Sequence, residues 1–434
     1  MDDSRDISPP PTKRLKLSHS PKLTINPIIT VEVPNPVERP MRSKESNCGP
    51  RDTIRIFSWN INGISPFIQN AVTSYFTSSK KPFQDPNLKA KPASASLRDF
   101  LRRHRWPELL FLQEVKINPS DTKTQLAVQT AVNPSASHSE SSSTLSADTE
   151  AEETYLTFFT LPTDKFNARS FGGKVYGVAT IIRESFYQKY VKQVREVEWD
   201  LEGRVSLVLT TNKLAIFNIY AVNGTSNPYR SPTTGEVRGT RHDRKREFHR
   251  LLAEETKTLQ DQGYEVVIAG DLNIAPTRID GWPNLRTFPI EHVANRADFH
   301  ARFLEISGDP PSNNIPVNTE ALQSKLKASN DADQEAGEVV SGLGMIDIYR
   351  ALNPGVKKFS FHPRTVAWGS SCDRVDLILV SKELWRRGGV VEAEIWDSPQ
   401  ERGPSDHVPI SVEVRMYKEE MNAGEKKREV EGKG

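Results

Sequence analysis

The sequence predicts one large domain of mixed α/β or α+β class. Apolar runs of strand length recur along most of the chain, helical patterns lie between some of them, and the span 51–416 suits a single core. Less two insertions, at about 119–152 and 308–340, that span approaches the ~250–300 residues at which one core stops growing.

In chain order, residues 1–50 are rich in Pro, Ser and basic side chains and lack sustained periodicity, which predicts disorder. PPTKRLKL places Lys13, Arg14 and Lys16 beside prolines, a pattern that fits a nuclear import signal and equally a solvated basic stretch. From Thr53, TIRIFSW alternates apolar and polar residues and reads as a strand. ELLFLQ (Glu108–Gln113), GVATII (Gly177–Ile182), SLVLT (Ser206–Thr210) and LAIFNIY (Leu214–Tyr220) read likewise. So do EVVIAG (Glu265–Gly270), VDLILV (Val375–Val380) and ISVEV (Ile410–Val414). SLRDFLRRH (Ser96–His104) opens on a Ser that can cap a helix. REFHRLLAEETKTLQ (Arg246–Gln260) sets Phe248, Leu251, Leu252 and Leu259 largely along one helical face. The two insertions carry low-complexity acidic and Ser-rich runs, expected to form loops, and 417–434 is a charged tail.

Composition excludes several classes. The chain has 434 residues, 58 Lys+Arg against 56 Asp+Glu, and a net charge of +2, so only the distribution of charge can speak of partners. No apolar run approaches the ~20 residues of a membrane helix, and MDDSRDISPP lacks the apolar stretch of a secretory signal. Cys48 and Cys372 make neither a disulfide framework nor a CxxC metal pattern. A reducing compartment is expected.

Polar residues gather just past the strand signals, where ligand sites form over a rigid sheet. They are Asn60 and Asn62, Glu114, Tyr220 and Asn223, Asp271 and Asn273, Asp376, and Asp406 with His407. Taken singly, each has an ordinary structural reading: Asp271 as a turn residue, Asp376 as a partner of Arg374, His407 as a surface or core histidine. Together they make coherent phosphodiester chemistry. A hard cation such as Mg²⁺ takes oxygen ligands, which Glu114 and Asp406 can supply, with Asn60 or Asn62 adding an amide oxygen. Asp271 can orient and deprotonate a water. His407, held by Asp376, can stabilise developing charge, and Asn273, Asn223 and Tyr220 are neutral donors.

These residues resemble the exonuclease III/apurinic–apyrimidinic endonuclease branch of the endonuclease/exonuclease/phosphatase (DNase I-like) superfamily. The matching strings are SWNINGI (Ser58–Ile64), LQEVK (Leu112–Lys116), YGVATI (Tyr176–Ile181), EGRV (Glu202–Val205), YAVNG (Tyr220–Gly224), GDLNIAPTRID (Gly270–Asp280), RVDLIL (Arg374–Leu379) and GPSDHVPI (Gly403–Ile410). They stand in the family's order, and GDLN followed by Asp280, with RxD and SDHxP, favours this branch. The resemblance implies a four-layer α/β sandwich of two packed mixed sheets flanked by helices. It implies metal binding by Asn60, Glu114 and Asp406, with Asp271 and Asn273 as a second set, and Mg²⁺ or Mn²⁺ as the cation. It assigns Asp271 to the nucleophilic water, Asn273 to the transition state, and Asp376 with His407 to the phosphate. Tyr220 and Asn223 would contact the phosphate, and Asn62 the substrate.

The chain departs from the pattern at Val222, where Pro is usual, after Gly63, and before Arg374, where AWGSSCD lacks a pocket aromatic. Phe359, Phe361 and Trp368 lie upstream and could substitute for it, with ordinary core packing the slightly favoured reading. SCDRV is similar to a string of inositol polyphosphate 5-phosphatases. Basic residues cluster at Lys80, Lys81, Lys89, Lys91, Arg98, Arg102, Arg103 and Arg105, and again at Arg238, Arg241, Arg244, Lys245 and Arg246, as in a backbone-binding groove. The expectation is a Mg²⁺-dependent DNA phosphodiesterase of base excision repair, incising 5′ to abasic sites or acting as a 3′→5′ exonuclease or 3′-phosphodiesterase. It would be monomeric, unattached to membranes, and nuclear, with or without a mitochondrial pool. RNA, protein–DNA adducts or inositol phosphates are the alternative substrates, and a catalytically silent nucleic-acid-binding protein is the alternative class.

Overall fold

The computed structural model describes residues 53–68, 95–133, 153–168, 176–304 and 342–417. The import-signal residues Lys13, Arg14 and Lys16, the Ser-rich run 134–152, the insertion at 308–340, the lysines of 80–91 and the tail beyond Tyr417 lie outside them.

The described residues open on β1 (Thr53–Asn60), α1 (Leu97–Arg103), β2 (Leu109–Gln113) and α2 (Thr122–Ala131). β3 (Tyr155–Thr160), β4 (Val178–Arg183), α3 (Glu184–Tyr190), β5 (Val191–Glu196), β6 (Val205–Thr210) and β7 (Leu214–Tyr220) follow. A small ladder of β8 (Pro228–Arg230) and β9 (Val237–Thr240) leads into the long α4 (Arg241–Asp261) and β10 (Glu265–Asp271). Then come β11 (Gly281–Trp282), α5 (Glu291–Phe303), β12 (Ile346–Asp347), α6 (Ile348–Leu352) and β13 (Cys372–Asp373). β14 (Asp376–Val380), α7 (Lys382–Arg386), β15 (Val390–Ile395), α8 (Pro399–Arg402) and β16 (Ile410–Arg415) end the described chain.

Two mixed six-stranded sheets result, in the orders β15-β16-β1-β2-β4-β3 and β12-β14-β10-β7-β6-β5. Ile54, Ile56, Leu109 and Phe111 of the first meet Leu214, Ile216, Val267, Ala269 and Ile378 of the second in one buried cluster. The opposite faces are covered by helices. Leu97, Phe100 and Leu101 of α1 and Val128 of α2 pack on Phe57, Trp59, Leu110 and Leu112. Phe248, Leu252 and Leu259 of α4 and Phe299 and Phe303 of α5 pack on Val266, Ile268 and Phe217. This is the expected four-layer sandwich, and burial of each such side chain contributes roughly 1.5–3 kcal/mol.

Strand alternation then fixes where polar residues go. On the inner faces, Ile54–Ile56 is succeeded by Ser58 and Asn60, Leu109–Phe111 by Gln113, Leu214–Ile216 by Asn218 and Tyr220, and Val267–Ala269 by Asp271. Toward one end of the sandwich, therefore, the inter-sheet core turns polar. Gln113 Nε2 donates to Ser58 Oγ at 2.9 Å and across to Asn218 Oδ1 at 2.8 Å, and Thr180 Oγ1 reaches Ser206 Oγ at 3.0 Å. This layer ties the two sheets in register directly beneath the strand ends.

Two stretches take a form other than the one expected of them. The insertion expected from 119 is helical over Thr122–Ala131: Asp121 caps Thr124 N at 3.0 Å, and Gln129 pads β3 through Tyr155 O and Thr157 N. The helix expected from Arg246 starts at Arg241, because Thr240 and Asp243 form a reciprocal capping box.

Arg374 does not pair with Asp376. Its buried guanidinium grips Asp280 (Nε to Oδ1, 2.6 Å) and Asp347 (Nη2 to Oδ2, 2.6 Å), while Arg350 adds a further 2.6 Å contact to Asp280. Burial raises the Asp280 pKa, but the charge and hydrogen bonds of Arg374 outweigh it and bring it down to about 2. A depressed acid stabilises the fold above its unfolded value, near 3.8, and the contribution is lost as pH falls through about 2. Asp280→Asn should therefore lose roughly 2–3 kcal/mol at pH 7, and the gap to wild type should narrow by about half at pH 3, as read by urea unfolding at the two pH values.

Candidate active site

The polar ends of the strands meet. Tyr220, Asp271 and Asp376 lie side by side on β7, β10 and β14, each opposite its neighbour in register. Asn60 ends β1 on the facing sheet, and its Nδ2 crosses the sandwich to Asp271 Oδ2 at 2.9 Å and to Glu114 Oε1 at 3.1 Å. Tyr220 donates its hydroxyl to the same Glu114 oxygen at 2.6 Å, and Lys116 Nζ pairs with Glu114 Oε2 at 2.9 Å. His407 Nδ1 meets Asp376 Oδ2 at 2.7 Å, and its Nε2 lies 4.0 Å from Asp271 Oδ2.

Backbone strain concentrates here. Asn62, Glu114, Lys116 and Asn273 all have φ between 51° and 54°, a left-handed conformation that costs a non-glycine residue about 1–2 kcal/mol. The turn at Glu114 lets Val115 N and Lys116 N bond Gly177 O and Tyr176 O, which lifts the carboxylate off the end of β2. Asn273 N caps Asp271 Oδ1 at 2.9 Å, and Asn273 Nδ2 holds Ala221 O at 2.9 Å. Ser405 Oγ bonds Asn60 O at 2.6 Å and Trp59 Nε1 bonds His407 O at 3.0 Å, which locks the Asp406–His407 loop to β1. Ser360 Oγ accepts from Asp376 N at 3.0 Å and fixes the other half of the Asp–His pair.

Electrostatics separate the roles. Burial pulls the His407 pKa down, yet the charge and hydrogen bond of Asp376 win and lift it to about 10, so the imidazolium persists at neutral pH. Burial and the neighbouring Asp376 charge raise Asp271 to about 7, against the opposing pull of His407. Burial also raises Glu114, but Lys116 and the Tyr220 and Asn60 hydrogen bonds prevail and hold it below the usual carboxylate range. The site thus pairs a permanent cation with a carboxylate poised to take a proton, and sets a charged carboxylate beside them.

Could these residues hold a divalent cation? Asp271, Asp376 and His407 bring ligand atoms within 4.8 Å of one another. A protonated His407 offers no lone pair, so this trio serves better as a proton-handling unit than as a cage. Glu114 is ionised, and the half-buried Asp406 carboxylate makes no hydrogen bond among the described residues. Both are hard oxygen donors of the kind Mg²⁺ takes. Asn60 presents its Nδ2 to the carboxylates while its Oδ1 accepts from Asn62 N at 3.0 Å; ligation through oxygen requires the amide to turn over. The donor chemistry fits a cation held by Glu114, Asp406 and a turned Asn60.

Comparison with known proteins decides the family. The model of the endonuclease/exonuclease/phosphatase family matches residues 57–407, which span every residue of the site. The chain belongs to the endonuclease/exonuclease/phosphatase family. No curated protein matches it. Among solved structures it is similar to the 3′ phosphatase NExo from Neisseria bound to a product DNA hairpin (15% identity, 83% of this chain and 99% of that one, TM-score 0.46). It is also similar to the catalytic domain of Xenopus laevis APE2 (18%, 85% and 94%, 0.46) and an AP endonuclease from Archaeoglobus fulgidus (16%, 83% and 98%, 0.44). At these identities and scores the likenesses carry no weight for activity.

Within this family member, the remaining expected residues occupy supporting or rim positions. Tyr220 holds Glu114 with its hydroxyl, which burial and the Glu114 charge keep protonated. Asn223 is half-buried and its amide makes no hydrogen bond among the described residues, so it is free to meet a substrate. Asn62 is exposed and accepts from Lys116 Nζ. Phe361, expected in the core, instead packs its half-buried ring 5.0 Å from the His407 ring. Trp368 stacks on His362 at 3.7 Å.

Most of the second basic cluster is folded onto partners and not into the expected groove, while Lys80, Lys81, Lys89 and Lys91 of the first lie outside the described residues. Arg241 and Arg244 converge with Arg204 on the buried Glu202, and Arg246 pairs with Asp243 at 2.6 Å. Arg98 is buried on Val132 O, and Arg103 pairs with Glu401. Sequence reasoning missed what Lys245 does. Its buried Nζ donates to Val222 O at 2.9 Å, Asn273 O at 3.0 Å and Leu272 O at 3.4 Å, three carbonyls of the loops that carry Asn223 and Asn273. Lys245→Met keeps the volume but removes the donor of these carbonyls, so it should cost about 1–3 kcal/mol of stability and lower kcat by about 10–100-fold with little change in KM, measured by urea unfolding and steady-state kinetics. Lys116 was missed as well, being read only as part of a motif string.

Proposed function

We propose that this chain is a Mg²⁺-dependent DNA phosphodiesterase of base excision repair that incises 5′ to abasic sites or trims 3′ ends. The observation that carries the reading is the asymmetric pair at the sandwich mouth: Asp271, raised to about 7, and His407, raised to about 10, 4.0 Å apart beside the ionised Glu114. Asp271 Oδ2 accepts the proton of the attacking water. His407 Nε2, which makes no hydrogen bond among the described residues, donates to a phosphoryl oxygen as its charge grows. Asn273 and Asn223 orient the phosphate from the loops that Lys245 fastens. Bound at Glu114 and Asp406, Mg²⁺ would supply Lewis-acid stabilisation of the phosphoryl charge. The ring of Phe361 against His407 offers an apolar wall for a sugar that lacks its base.

The test is cleavage of three labelled duplexes in Mg²⁺: one with an abasic-site analogue, one undamaged, one with a blocked 3′ end. Incision confined to the abasic strand supports repair incision. Removal of the 3′ block alone moves the assignment to end processing. Cleavage of none of them overturns the DNA reading and turns attention to RNA and small phosphoesters.

A further inference from the structure

Two loops flank the site and share an unusual charge. Residues 275–290 contain one acid, Asp280, which is buried in its pairs with Arg374 and Arg350. Residues 353–371 contain no acid at all. Arg278, Arg286 and Lys357 are exposed on these loops and make no ion pair among the described residues. Two aromatic side chains stand out beside them: Trp282 is 44% exposed and Phe288 81%. Lys357 Nζ lies 5.5 Å from the Trp282 ring.

The loop that carries the aromatics is firmly held. Gly281 and Trp282 pair with Asp373 and Cys372, and Arg374 N bonds Asp280 O at 2.8 Å. Arg296 clamps it to α5 through Ala275 O at 2.8 Å and Arg286 O at 2.9 Å. Its start lies two residues past Asn273, and its partner strand β13 ends three residues before Asp376. The exposed rings are therefore fixed relative to both strands that bear the catalytic carboxylates.

We propose that Trp282 and Phe288 form a stacking platform for unpaired bases of the nucleic acid whose backbone enters the site. The proposal rests on the nucleic-acid reading above and adds to it a preference for single-stranded or frayed substrate. Bases within a duplex have their faces covered, whereas an unpaired base can lie on an exposed ring, and cations beside the rings draw in the backbone. A protein partner would meet the same rings but would not account for acid-free loops on both sides.

The test uses the full chain in EDTA, so that no turnover occurs, and fluorescence anisotropy of a labelled single strand of about 12 nucleotides and of a blunt duplex. Trp282→Ala/Phe288→Ala should weaken single-strand binding by about 10-fold or more and duplex binding by far less, since stacking is lost only where bases are open. Unchanged single-strand affinity, equal losses on both ligands, or no single-strand binding by wild type would each overturn the proposal and leave the rings to another occupant. Failure of the underlying reading is seen separately: wild type in Mg²⁺ would hydrolyse bis(p-nitrophenyl) phosphate but no DNA. Both side chains are exposed and outside the catalytic machinery, so the small diester should be hydrolysed equally by wild type and the double variant.

Discussion

Asp271→Asn should lose phosphodiester hydrolysis by about 10²–10⁴-fold while becoming more stable than wild type at pH 8. The two effects have one origin. Asp271 is buried at the end of β10 beside the Asp376 carboxylate, and both burial and that charge raise its pKa from 3.8 to about 7. An acid whose folded pKa is raised opposes folding once pH exceeds its unfolded value. The penalty grows from about pH 4 to pH 7 and then stays constant. Asn removes the charge, keeps the volume and still accepts from Asn273 N. Thermal melts in EDTA should thus show the variant above wild type at pH 8 and level with it at pH 4, while kcat collapses. Full activity would remove Asp271 from the proton transfer. A lower melting temperature at pH 8 would contradict the electrostatic account.

Gly270→Ala should unfold the protein. Gly270 has φ +153°, and a Cβ built on it falls 1.9 Å from Ile219 O, a backbone atom of β7 that cannot swing aside. Gly270 and Ile219 are register partners in the parallel β10–β7 pair, so relief would require breaking the ladder on which Asp271 and Tyr220 stand. A loss of more than about 4 kcal/mol is expected, enough to abolish soluble folded protein for many domains of this size. Soluble yield and circular dichroism would read it. A variant that melts within a few degrees of wild type would show that the strand can shift and that its close approach is not required.

Much of this arrangement is legible in the sequence because it follows from strand alternation. EVVIAGD places Val267, Ala269 and Asp271 on one face, and TIRIFSWN does the same with Ile54, Ile56, Ser58 and Asn60. Once the apolar positions are known to face the other sheet, the polar residues that end each series must meet. The central strands were legible for the same reason, being buried and β-branched. Edge strands were harder: VKQVRE (β5) and VVEAEI (β15) lie at sheet margins with charged side chains in solvent, so their apolar signal is diluted. The helix Thr122–Ala131 buries only Val128, which leaves its Asp121 cap as its one clear mark.

Long-range pairing was not legible. Nothing local tells that Arg374 takes Asp280 and Asp347, 94 and 27 residues away, and leaves Asp376 to His407. The run Arg241–Arg246 reads as a surface patch, yet Arg241 and Arg244 are bound to the buried Glu202, and Lys245 is hydrogen-bonded to backbone carbonyls. A charge count cannot distinguish a solvated cation from one folded onto an acid far along the chain.

The central claim is that Glu114 holds the cation that the Asp271–His407 pair works beside. The measurement that tests it most directly is hydrolysis of a labelled duplex as Mg²⁺ is titrated from an EDTA-stripped state, for wild type and Glu114→Gln in parallel. Wild type should be silent in EDTA and recover on adding Mg²⁺, and Glu114→Gln should need about 100-fold more cation or fail to recover. Cleavage in EDTA, or a Glu114→Gln variant with the wild-type Mg²⁺ dependence, would contradict the account.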